Sequence, residues 1–272
     1  MKTLSQKEIQ AFRNAVRTHF KKEGRELPWR KTQDPHRILV SEIMLQQTQV
    51  DRVLPKYTEF LKRFPTVKKL AEASLGDVLR VWSGLGYNRR AKMLHACAQE
   101  VARARKGKFP SRYEDLMSLP GIGPYTAGAV MAFAYDAPVV MIETNIRSVY
   151  LHHFFQDKKD ISDAELLPLI EKTLDRKQPR LWYNMLMDYG TWIKKEHGNP
   201  NKKSKHHVVQ KKFEGSNRQV RGNILRILTR GASSTPALAQ ELVLQKEVLE
   251  EQLQKLNREG LVVSKKQKWF LP

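Results

Sequence analysis

Apolar residues recur three and four positions apart through most of residues 1–193, and this helical spacing constrains the fold more than any other feature. Ile9, Phe12, Val16 and Phe20 share one face of the first predicted helix, at 5–20. The same spacing predicts helices at 37–64 (with a break near Pro55), 77–84, 91–105, 113–118, 125–135, 146–155, 163–173 and 180–194. Strand alternation is absent there, apart from a possible short segment at 139–142. We therefore predict an all-α domain at 1–193.

The composition changes at the end of this domain. Residues 197–221 are rich in lysine, are punctuated by Gly and Pro, and lack apolar periodicity. Such a stretch is typical of a solvated linker or a basic arm on the protein surface. We expect a basic linker or arm at 194–216, which either contacts phosphates, through Lys202 and Lys203, or has no function of its own.

Regular patterns resume at residue 217. Helices are predicted at 219–229, at 237–243 after an N-cap at Thr235 and a proline at Pro236, and at 246–259 before Gly260. Two short apolar runs around the polar tip 264–268 then predict a hairpin. Helix, helix–turn–helix and hairpin is the order of a winged helix. We expect a winged-helix-like domain at 217–272, for DNA contact or for packing and dimerisation.

The charge of the chain points to a polyanionic partner. Its 272 residues include 49 Lys+Arg and 28 Asp+Glu, a formal net charge of +21 at pH 7. Nucleic acid is the first expectation, although an anionic membrane surface would also attract such a protein. The hydrophobic fraction of 40% is enough for a folded core. Because no long apolar run and no apolar signal core are present, neither a membrane span nor secretion is expected.

A glycine-rich turn, LPGIGPYT at 119–126, lies between two predicted helices. Gly121 and Gly123 permit a tight hairpin with outward-facing amides, and Pro124 suits the first turn of the next helix. Backbone N–H groups at such a helix start bind phosphate without reading the sequence. The turn indicates a helix–hairpin–helix, although a plain interhelical turn is the alternative.

Six segments together carry a resemblance to a known family. They are LPWR (27–30), DPHRILVSEIMLQQTQV (34–50), GLGYNRRAKMLH (84–95), LPGIGPYTAGAV (119–130), ETNIRSV (143–149) and LMDYG (186–190). In order and spacing they resemble the helix–hairpin–helix DNA glycosylase superfamily, specifically its A/G-specific adenine glycosylase branch. The resemblance implies an all-α glycosylase fold and a role in base excision repair.

The resemblance assigns catalytic roles to four residues. Glu42 matches the acid that protonates the departing adenine, and burial in its apolar helix would raise the pKa of its carboxyl toward the range useful for an acid. Glu143 stands where the family has an Asp that stabilises positive charge on the sugar, so its function there is open. Asn145 matches the residue that holds this carboxylate. Tyr125 replaces the Schiff-base Lys of bifunctional relatives, which implies base removal without efficient strand cleavage.

The resemblance also implies two sets of binding residues. The adenine pocket would comprise Arg25, Leu27, Trp29, Arg30, Leu45, Val50 and Asp188. Residues that fill or wedge the duplex, or hold its backbone, would be Gln46, Gln47, Thr48, Tyr87, Gly121, Gly123 and Thr126. Inserted side chains offset part of the cost of extruding a nucleotide.

Two family features are not expected here. The family has four cysteines that hold a [4Fe–4S] cluster, but the chain has only Cys97, and Lys194 occupies the place of the first ligand. We therefore expect no iron–sulfur cluster, and a monovalent cation at the hairpin is the one cofactor left open. The stretch 217–272 does not match the β-rich domain that inspects 8-oxoguanine, so selection of that base cannot be carried over.

The predicted function is a monofunctional DNA N-glycosylase that flips out a mismatched or damaged base, above all adenine, and hydrolyses its glycosidic bond. The alternatives are a glycosylase for hypoxanthine or for mismatched thymine or uracil, a non-catalytic lesion-binding protein, and, resting only on 217–272, a transcription factor. The expected partner is double-stranded DNA with a mismatch or lesion, bound by a monomer. The expected location is the bacterial or archaeal cytoplasm with the nucleoid, or otherwise the nucleus.

Overall fold

A computed structural model describes residues 4–209 and 212–272. The chain forms two compact units that interleave along the sequence. Unit 1 comprises the described residues of Met1–Ile38, Ser111–Met117 and Gly123–Val209, and unit 2 comprises those of Leu39–Pro110, Ser118–Ile122 and Gln210–Pro272. The boundaries of these two units differ from those of the three segments predicted from the sequence. The predicted domain boundaries remain a prediction.

Unit 1 is built from helices. Its helices are α1 (Gln6–Glu23), the start of α2 (Pro35–Leu45), α7 (Tyr113–Met117), α8 (Pro124–Tyr135), α9 (Thr144–Phe154), α10 (Asp163–Thr173) and α11 (Pro179–Glu196), with 3-10 turns at Pro28–Lys31 and Pro200–Lys203. Helix α11 packs along α9 and against α1 and α8. Phe12 meets Tyr150 and Trp182 in the core, with ring centroids 5.3 and 6.0 Å away.

The first part of the predicted basic linker is folded within unit 1. The turn Pro200–Lys203 packs on α9, and Asn201 is only 5% exposed. The Asn201 side-chain amide donates hydrogen bonds to the Thr144 carbonyl at 3.1 Å and to the Ser148 hydroxyl at 2.7 Å. Buried hydrogen bonds therefore hold this segment on α9. The lysine content and the missing apolar periodicity of the sequence did not indicate them.

Unit 2 contains the rest of α2 followed by two groups of helices. The first group is α3 (Val50–Arg63), α4 (Val67–Glu72), α5 (Leu75–Trp82) and α6 (Arg89–Ala104), and the second is α12 (Asn217–Leu228), α13 (Thr235–Leu242) and α14 (Lys246–Arg258). Helix α6 packs on α4 and α5, and α12, α13 and α14 pack on one another. Trp82 and Phe60 are fully buried in this unit.

The C-terminal helices are completed by a small antiparallel sheet. Its strands β1 (Ser233–Ser234), β2 (Val263–Lys265) and β3 (Lys268–Phe270) are arranged in the order β1–β3–β2. Lys266 and Gln267 both have positive φ, 48° and 60°, as a tight two-residue hairpin turn requires. This order of helices and strands is that of a winged helix, which confirms the predicted fold of residues 217–272.

Several predicted elements differ from the structure. The break expected near Pro55 is wrong, because Pro55 lies inside α3 and the chain turns at Gln47, whose φ is 55°. The segment 139–142 belongs to the loop between α8 and α9 and forms no strand. Helix α4 was missed because it has only six residues. Among the described residues, no helix has the length and apolar character needed to cross a membrane.

Candidate active site and nucleic-acid interface

Glu42 lies in a largely apolar turn of α2. The side chains around it in the sequence, Ser41, Ile43 and Met44, are buried, and Glu42 itself is 5% exposed. The helix thus buries this side chain, which the sequence pattern predicted. Its function as an acid and the accompanying pKa shift stay predictions.

Arg90 holds the C-terminal end of α2, a contact that the sequence analysis missed. Its Nη1 donates hydrogen bonds to the carbonyl oxygens of Ile43, Met44 and Gln46, at 2.8, 2.9 and 2.5 Å. These are carbonyls that a helix end leaves without intrahelical partners. Burial lowers the pKa of Arg90 to about 10, so the guanidinium remains charged at neutral pH. The only sequence signal for Arg90 was its place in the GLGYNRR segment.

Some of the predicted wedge residues contact this arginine. Nη2 of Arg90 donates to Thr48 Oγ1 at 3.1 Å, and its guanidinium lies over the Tyr87 ring at 5.4 Å. Gln47 and Tyr87 both adopt the left-handed conformation, with φ of 55° and 47°. Non-glycine residues rarely adopt this conformation, so both positions mark tight turns of the backbone. Arg90 thus brings Thr48 and Tyr87 together within unit 2.

The glycine-rich turn has the geometry of a hairpin. Gly121 has a φ of 74°, and a Cβ there would lie 2.5 Å from Cβ of Met93. Gly123 is the N-cap of α8, and because it is a glycine it makes no side-chain capping bond. Pro124 occupies the first turn, as predicted. Thr126 is buried in that turn. The positive end of α8 therefore begins at the hairpin, as phosphate binding requires.

Glu143 is the N-cap of α9. Its Oε1 accepts from the backbone N–H groups of Asn145 and Ile146 at 2.7 and 2.9 Å. Its Oε2 accepts from the Thr144 hydroxyl at 3.0 Å and from Asn145 Nδ2 at 3.2 Å. Four hydrogen bonds thus fix the carboxylate at the positive end of a helix. The structure brings Asn145 to Glu143, as the resemblance implied.

Gly190 of α11 allows close approach to this capped turn. A Cβ at Gly190 would lie 2.2 Å from the Asn145 carbonyl oxygen, which is well below the sum of the van der Waals radii of the two atoms. The neighbouring Thr191 hydroxyl donates to Asn145 Oδ1 at 3.4 Å. The glycine therefore determines how near α11 lies to the residues that orient Glu143. In the sequence, Gly190 is distinguished by being the only glycine in the helical pattern 180–194.

We expect Gly190→Ala to displace the first turn of α9. The added methyl group cannot be accommodated at 2.2 Å from a carbonyl oxygen, so the backbone of Asn145 must move. We predict a loss of about 1–3 kcal/mol in the free energy of unfolding, the range for overpacking. Thermal denaturation measures it, with Gly222→Ala as the control, since a Cβ there meets no atom within 4 Å. Equal stability of both variants would contradict the argument.

Asp188 of α11 lies at the centre of a buried ionic cluster with Arg25 and Arg30. Backbone N–H and Nε of Arg25 donate to its two oxygens at 2.9 and 2.7 Å, and the Arg30 guanidinium donates to both at 2.8 and 2.7 Å. Burial opposes ionisation of the carboxyl, but the hydrogen bonds and charges of the arginines outweigh it and hold its pKa below its ordinary value. The structure therefore brings three predicted pocket residues together as mutual partners.

We expect Asp188→Asn to lower the free energy of unfolding by about 2–3 kcal/mol at neutral pH, because two arginines lose their counter-charge. The expected loss is smaller than that for a fully buried ion pair because Arg25 is one third exposed. The depressed pKa adds stability above about pH 4, which is lost as the pH falls through the folded-state value. Urea unfolding from pH 7 to pH 3 should show the difference between variant and wild type shrinking in acid. A constant difference would contradict this.

The remaining predicted site residues have different surroundings. Leu27 precedes the turn Pro28–Lys31 and Trp29 lies in it. Each is 6% exposed and so lies in the core of unit 1. Leu45 and Val50, which flank the turn after α2, are half-buried, as is Tyr125 in the first turn of α8. The assignment of Leu27 and Trp29 to a pocket wall stays a prediction.

The residues at the place of the family's iron–sulfur cluster do not fit such a group. A cluster needs thiolate ligands, and the only thiol, Cys97, is buried in α6, where burial raises its pKa to about 12. Lys194 is half-buried instead, and burial lowers its pKa while the negative charge of Glu143 opposes that change. Among the described residues, no group of three or more His, Cys, Asp or Glu is placed to hold a metal.

The two lysines predicted to contact phosphate have different surroundings. Lys202 is exposed. The Lys203 ammonium donates to the carbonyls of Phe155 and Gln156 at 3.3 and 2.6 Å, at the end of α9. Lys203 therefore caps a helix in unit 1, and Lys202 is the better candidate for contact with DNA.

Sequence comparison finds relatives among DNA repair proteins. The Mycobacterium tuberculosis (strain H37Rv) protein named adenine DNA glycosylase is 48% identical over 131 residues, which cover 48% of this chain and 43% of that protein. The Schizosaccharomyces pombe protein of the same name is 32% identical over 211 residues, which cover 68% of this chain and 45% of that protein. The chain thus spans less than half the length of these two relatives.

Structural comparison finds the same fold. A thermostable thymine-DNA glycosylase aligns with a TM-score of 0.61 and 25% identity, covering 68% of this chain and 86% of that one. An endonuclease III–DNA complex aligns with a TM-score of 0.55 and 18% identity, covering 71% and 87%. Residues 40–173 match the HhH-GPD superfamily of base excision DNA repair proteins. The match places residues 40–173 in this superfamily, and the chain is similar to proteins named adenine DNA glycosylase.

Proposed function

We propose that this chain is a monofunctional DNA N-glycosylase that removes adenine from mismatched or damaged duplex DNA. Its relatives named adenine DNA glycosylase and the matched repair domain support the activity. The net charge of +21 supports a DNA partner, because phosphate contacts dominate affinity for nucleic acid. The hairpin before α8 supplies a helix start for one such contact.

The observation that carries the proposal is the anchored carboxylate of Glu143. When the bond between adenine and C1′ breaks, positive charge develops on the sugar, and a fixed negative charge stabilises it. Four hydrogen bonds orient Glu143 in advance, so the carboxylate does not need to reorganise during the reaction. This geometry suits the function that the family gives to a shorter Asp.

Glu42 performs the complementary step in this proposal. Adenine is a poor leaving group as an anion, so a carboxylic acid that protonates N7 lowers the barrier. The buried position of Glu42 favours the neutral, proton-donating form. A water molecule then adds to C1′ and loses a proton, which restores the acid form of Glu42, and the products are free adenine and an abasic site.

We propose base removal without strand cleavage and without a metal cluster. Tyr125 stands where a lyase requires an amine, and a phenol cannot form a Schiff base. The single, buried Cys97 supports a fold that does without iron–sulfur ligation. Instead of cluster ligation, the hydrogen bonds of Asn201 and Lys203 join the segment 200–203 to α9.

Single-turnover base release tests the proposal. Oligonucleotide duplexes carrying A:8-oxoguanine, A:G, hypoxanthine:T, T:G and U:G pairs are incubated with excess protein, and the abasic strand is cleaved by alkali and quantified. We expect release from the adenine duplexes. Release only from T:G or U:G would move the assignment toward the thymine-DNA glycosylase whose fold the chain shares. Tight binding of lesions with no release from any duplex would indicate a lesion-binding protein.

A further inference from the structure

Helix α11 carries a lysine beside the capped turn of Glu143 that the catalytic proposal does not use. Lys194 lies four positions after Gly190 and three after Thr191, so the three residues share one face of this helix. Gly190 approaches the carbonyl of Asn145, and the Thr191 hydroxyl donates to Asn145 Oδ1 at 3.4 Å. The next turn of the same face therefore carries Lys194 toward the carboxylate of Glu143, whose negative charge acts on it.

The ammonium of Lys194 is half-buried, and it makes no hydrogen bond or ion pair with any residue that the structure describes. The four acceptor sites of the Glu143 carboxylate are taken by hydrogen bonds from its own turn. Asp188, on the same helix as Lys194, is held by Arg25 and Arg30. Burial lowers the pKa of Lys194, the charge of Glu143 opposes this, and the charge of Arg25 lowers the pKa further. Because a half-buried charge without acceptors is costly, the site suits an anion from outside the protein.

The end of helix α11 does not by itself explain the burial of Lys194. A lysine in the last turn of a helix interacts favourably with the helix dipole. Lys195 does so from the solvent side, where 83% of its side chain is exposed and its ammonium lies 3.7 Å from Glu196. Because a charge at a helix end needs no burial, the inward position of Lys194 points to a contact other than the dipole.

The substrate of the proposed reaction brings anions to this place. C1′ of the target nucleotide would lie at Glu143, and each sugar within a DNA strand carries one phosphate on its 5′ side and one on its 3′ side. Extrusion rotates the nucleotide about its backbone, so these phosphates approach the site together with the sugar. A lysine ammonium is a compact charge with three donors on a flexible stem, and it can follow a phosphate whose orientation other contacts determine.

We propose that Lys194 binds one of the two phosphates that flank the extruded nucleotide and thereby holds the sugar against Glu143. The inference rests on the proposed function, which places the sugar at this carboxylate. Phosphate contacts fix the register of a protein on DNA without reading the sequence. Lys194 is therefore a positioning residue for the target strand, and its effect should not depend on which base stands opposite.

Neutralising single phosphates tests the proposal. Duplexes carry a non-cleavable tetrahydrofuran abasic analogue, with an uncharged methylphosphonate on its 5′ side, on its 3′ side or near one end of the duplex. Fluorescence anisotropy gives the Kd of the full chain for each duplex and for the unmodified one. We expect the wild type to bind about tenfold more weakly when the contacted phosphate is neutral, the effect of one charge-assisted hydrogen bond. The distant methylphosphonate should change the Kd by less than about threefold.

Lys194→Met separates this contact from the general charge of the chain. Methionine keeps an apolar stem and removes the ammonium, so binding to the unmodified duplex should weaken about tenfold. The slope of log Kd against log salt concentration should fall by about one. On the duplex whose contacted phosphate is neutral, variant and wild type should bind within about threefold of each other, because the partner is already absent. Lys194→Arg keeps a charged donor and should bind the unmodified duplex within about threefold of wild type.

Lys195→Met is the matched control, because it removes the same charge from the neighbouring, exposed residue. Its binding should weaken by no more than about threefold, and equally on every duplex. Thermal denaturation without DNA reports on a merely structural function of Lys194. Because Lys194→Met removes a half-buried charge, this variant should unfold at the wild-type temperature or above it.

Three outcomes would overturn the inference: no weakening by either flanking methylphosphonate, a Lys194→Met defect of equal size on every duplex, or an unchanged Kd of Lys194→Met with a lower unfolding temperature. Because the analogue has no base to release, the result does not depend on catalysis. Coupling between Lys194 and one flanking phosphate, without adenine release from any substrate duplex, would refute the proposed function alone. Adenine release without such coupling would refute the phosphate contact of Lys194 alone.

Discussion

Replacing Glu42 with Gln should slow single-turnover adenine release by about 10²–10⁴-fold, the range that general acid catalysis contributes. The amide has nearly the same shape as the carboxyl but cannot transfer a proton to the departing base. Since Glu42 lies in a buried turn of α2, the neutral amide should also be tolerated there without loss of the fold. Excess protein over an A:G or A:8-oxoguanine duplex makes the measured rate that of bond cleavage.

A matched carboxylate outside the site is the control for this variant. Glu59 lies on the exposed face of α3, in the same unit, and forms an ion pair with Lys56 at 2.8 Å. Surface pairs of this kind contribute little to stability, so Glu59→Gln should release adenine at the wild-type rate. Unchanged release in Glu42→Gln, with binding of the duplex retained, would show that the acid is another group.

The second large effect is expected at Glu143. Glu143→Gln removes the negative charge and should reduce the rate of release by about 10²–10³-fold, the cost of removing one electrostatic contact to a transition state. The amide oxygen still accepts from backbone N–H groups, so the cap of α9 is weakened by no more than about 1 kcal/mol. Thermal denaturation beside the rate measurement separates these two contributions.

Glu143→Asp separates the effect of the negative charge from the effect of side-chain length. Asp restores the family side chain and is a good N-cap, so stability should be retained. If the negative charge is what matters, the rate should stay within about tenfold of wild type, far above that of Glu143→Gln. Glu196→Gln, an exposed residue at the end of α11, serves as the neutral control in unit 1. Equal rates for the Gln and Asp variants would refute stabilisation by charge.

The cap at Glu143 shows what local sequence signals can predict. The Glu143 carboxylate lies two positions before Asn145 at a helix start, so the acceptor and the N–H groups that it caps are within three residues. The hairpin with Gly121 and the order of elements in 217–272 are predictable for the same reason. Each depends on backbone conformations or apolar spacings that a few neighbouring residues specify.

The Asp188 cluster shows where such prediction ends. The family resemblance named Arg25, Arg30 and Asp188 for one pocket, but it did not show that the arginines would donate to the carboxylate. These hydrogen bonds join residues 158 and 163 positions apart. The turn at Pro200–Lys203 was missed similarly, since Asn201 has its partners 57 and 53 positions away.

By itself, the sequence determined the helical class, the glycine-rich hairpin and the resemblance to a family, because periodicity, turn residues and ordered motifs are properties of neighbouring residues. Only the tertiary structure decided that Arg90 holds the end of α2 from 47 positions away and that Arg218 meets Tyr87 across 131 positions. A long side chain on an exposed helical pattern has many possible partners. Which one it meets depends on how distant segments pack, and that packing brings the C-terminal module to the loop that contains Tyr87.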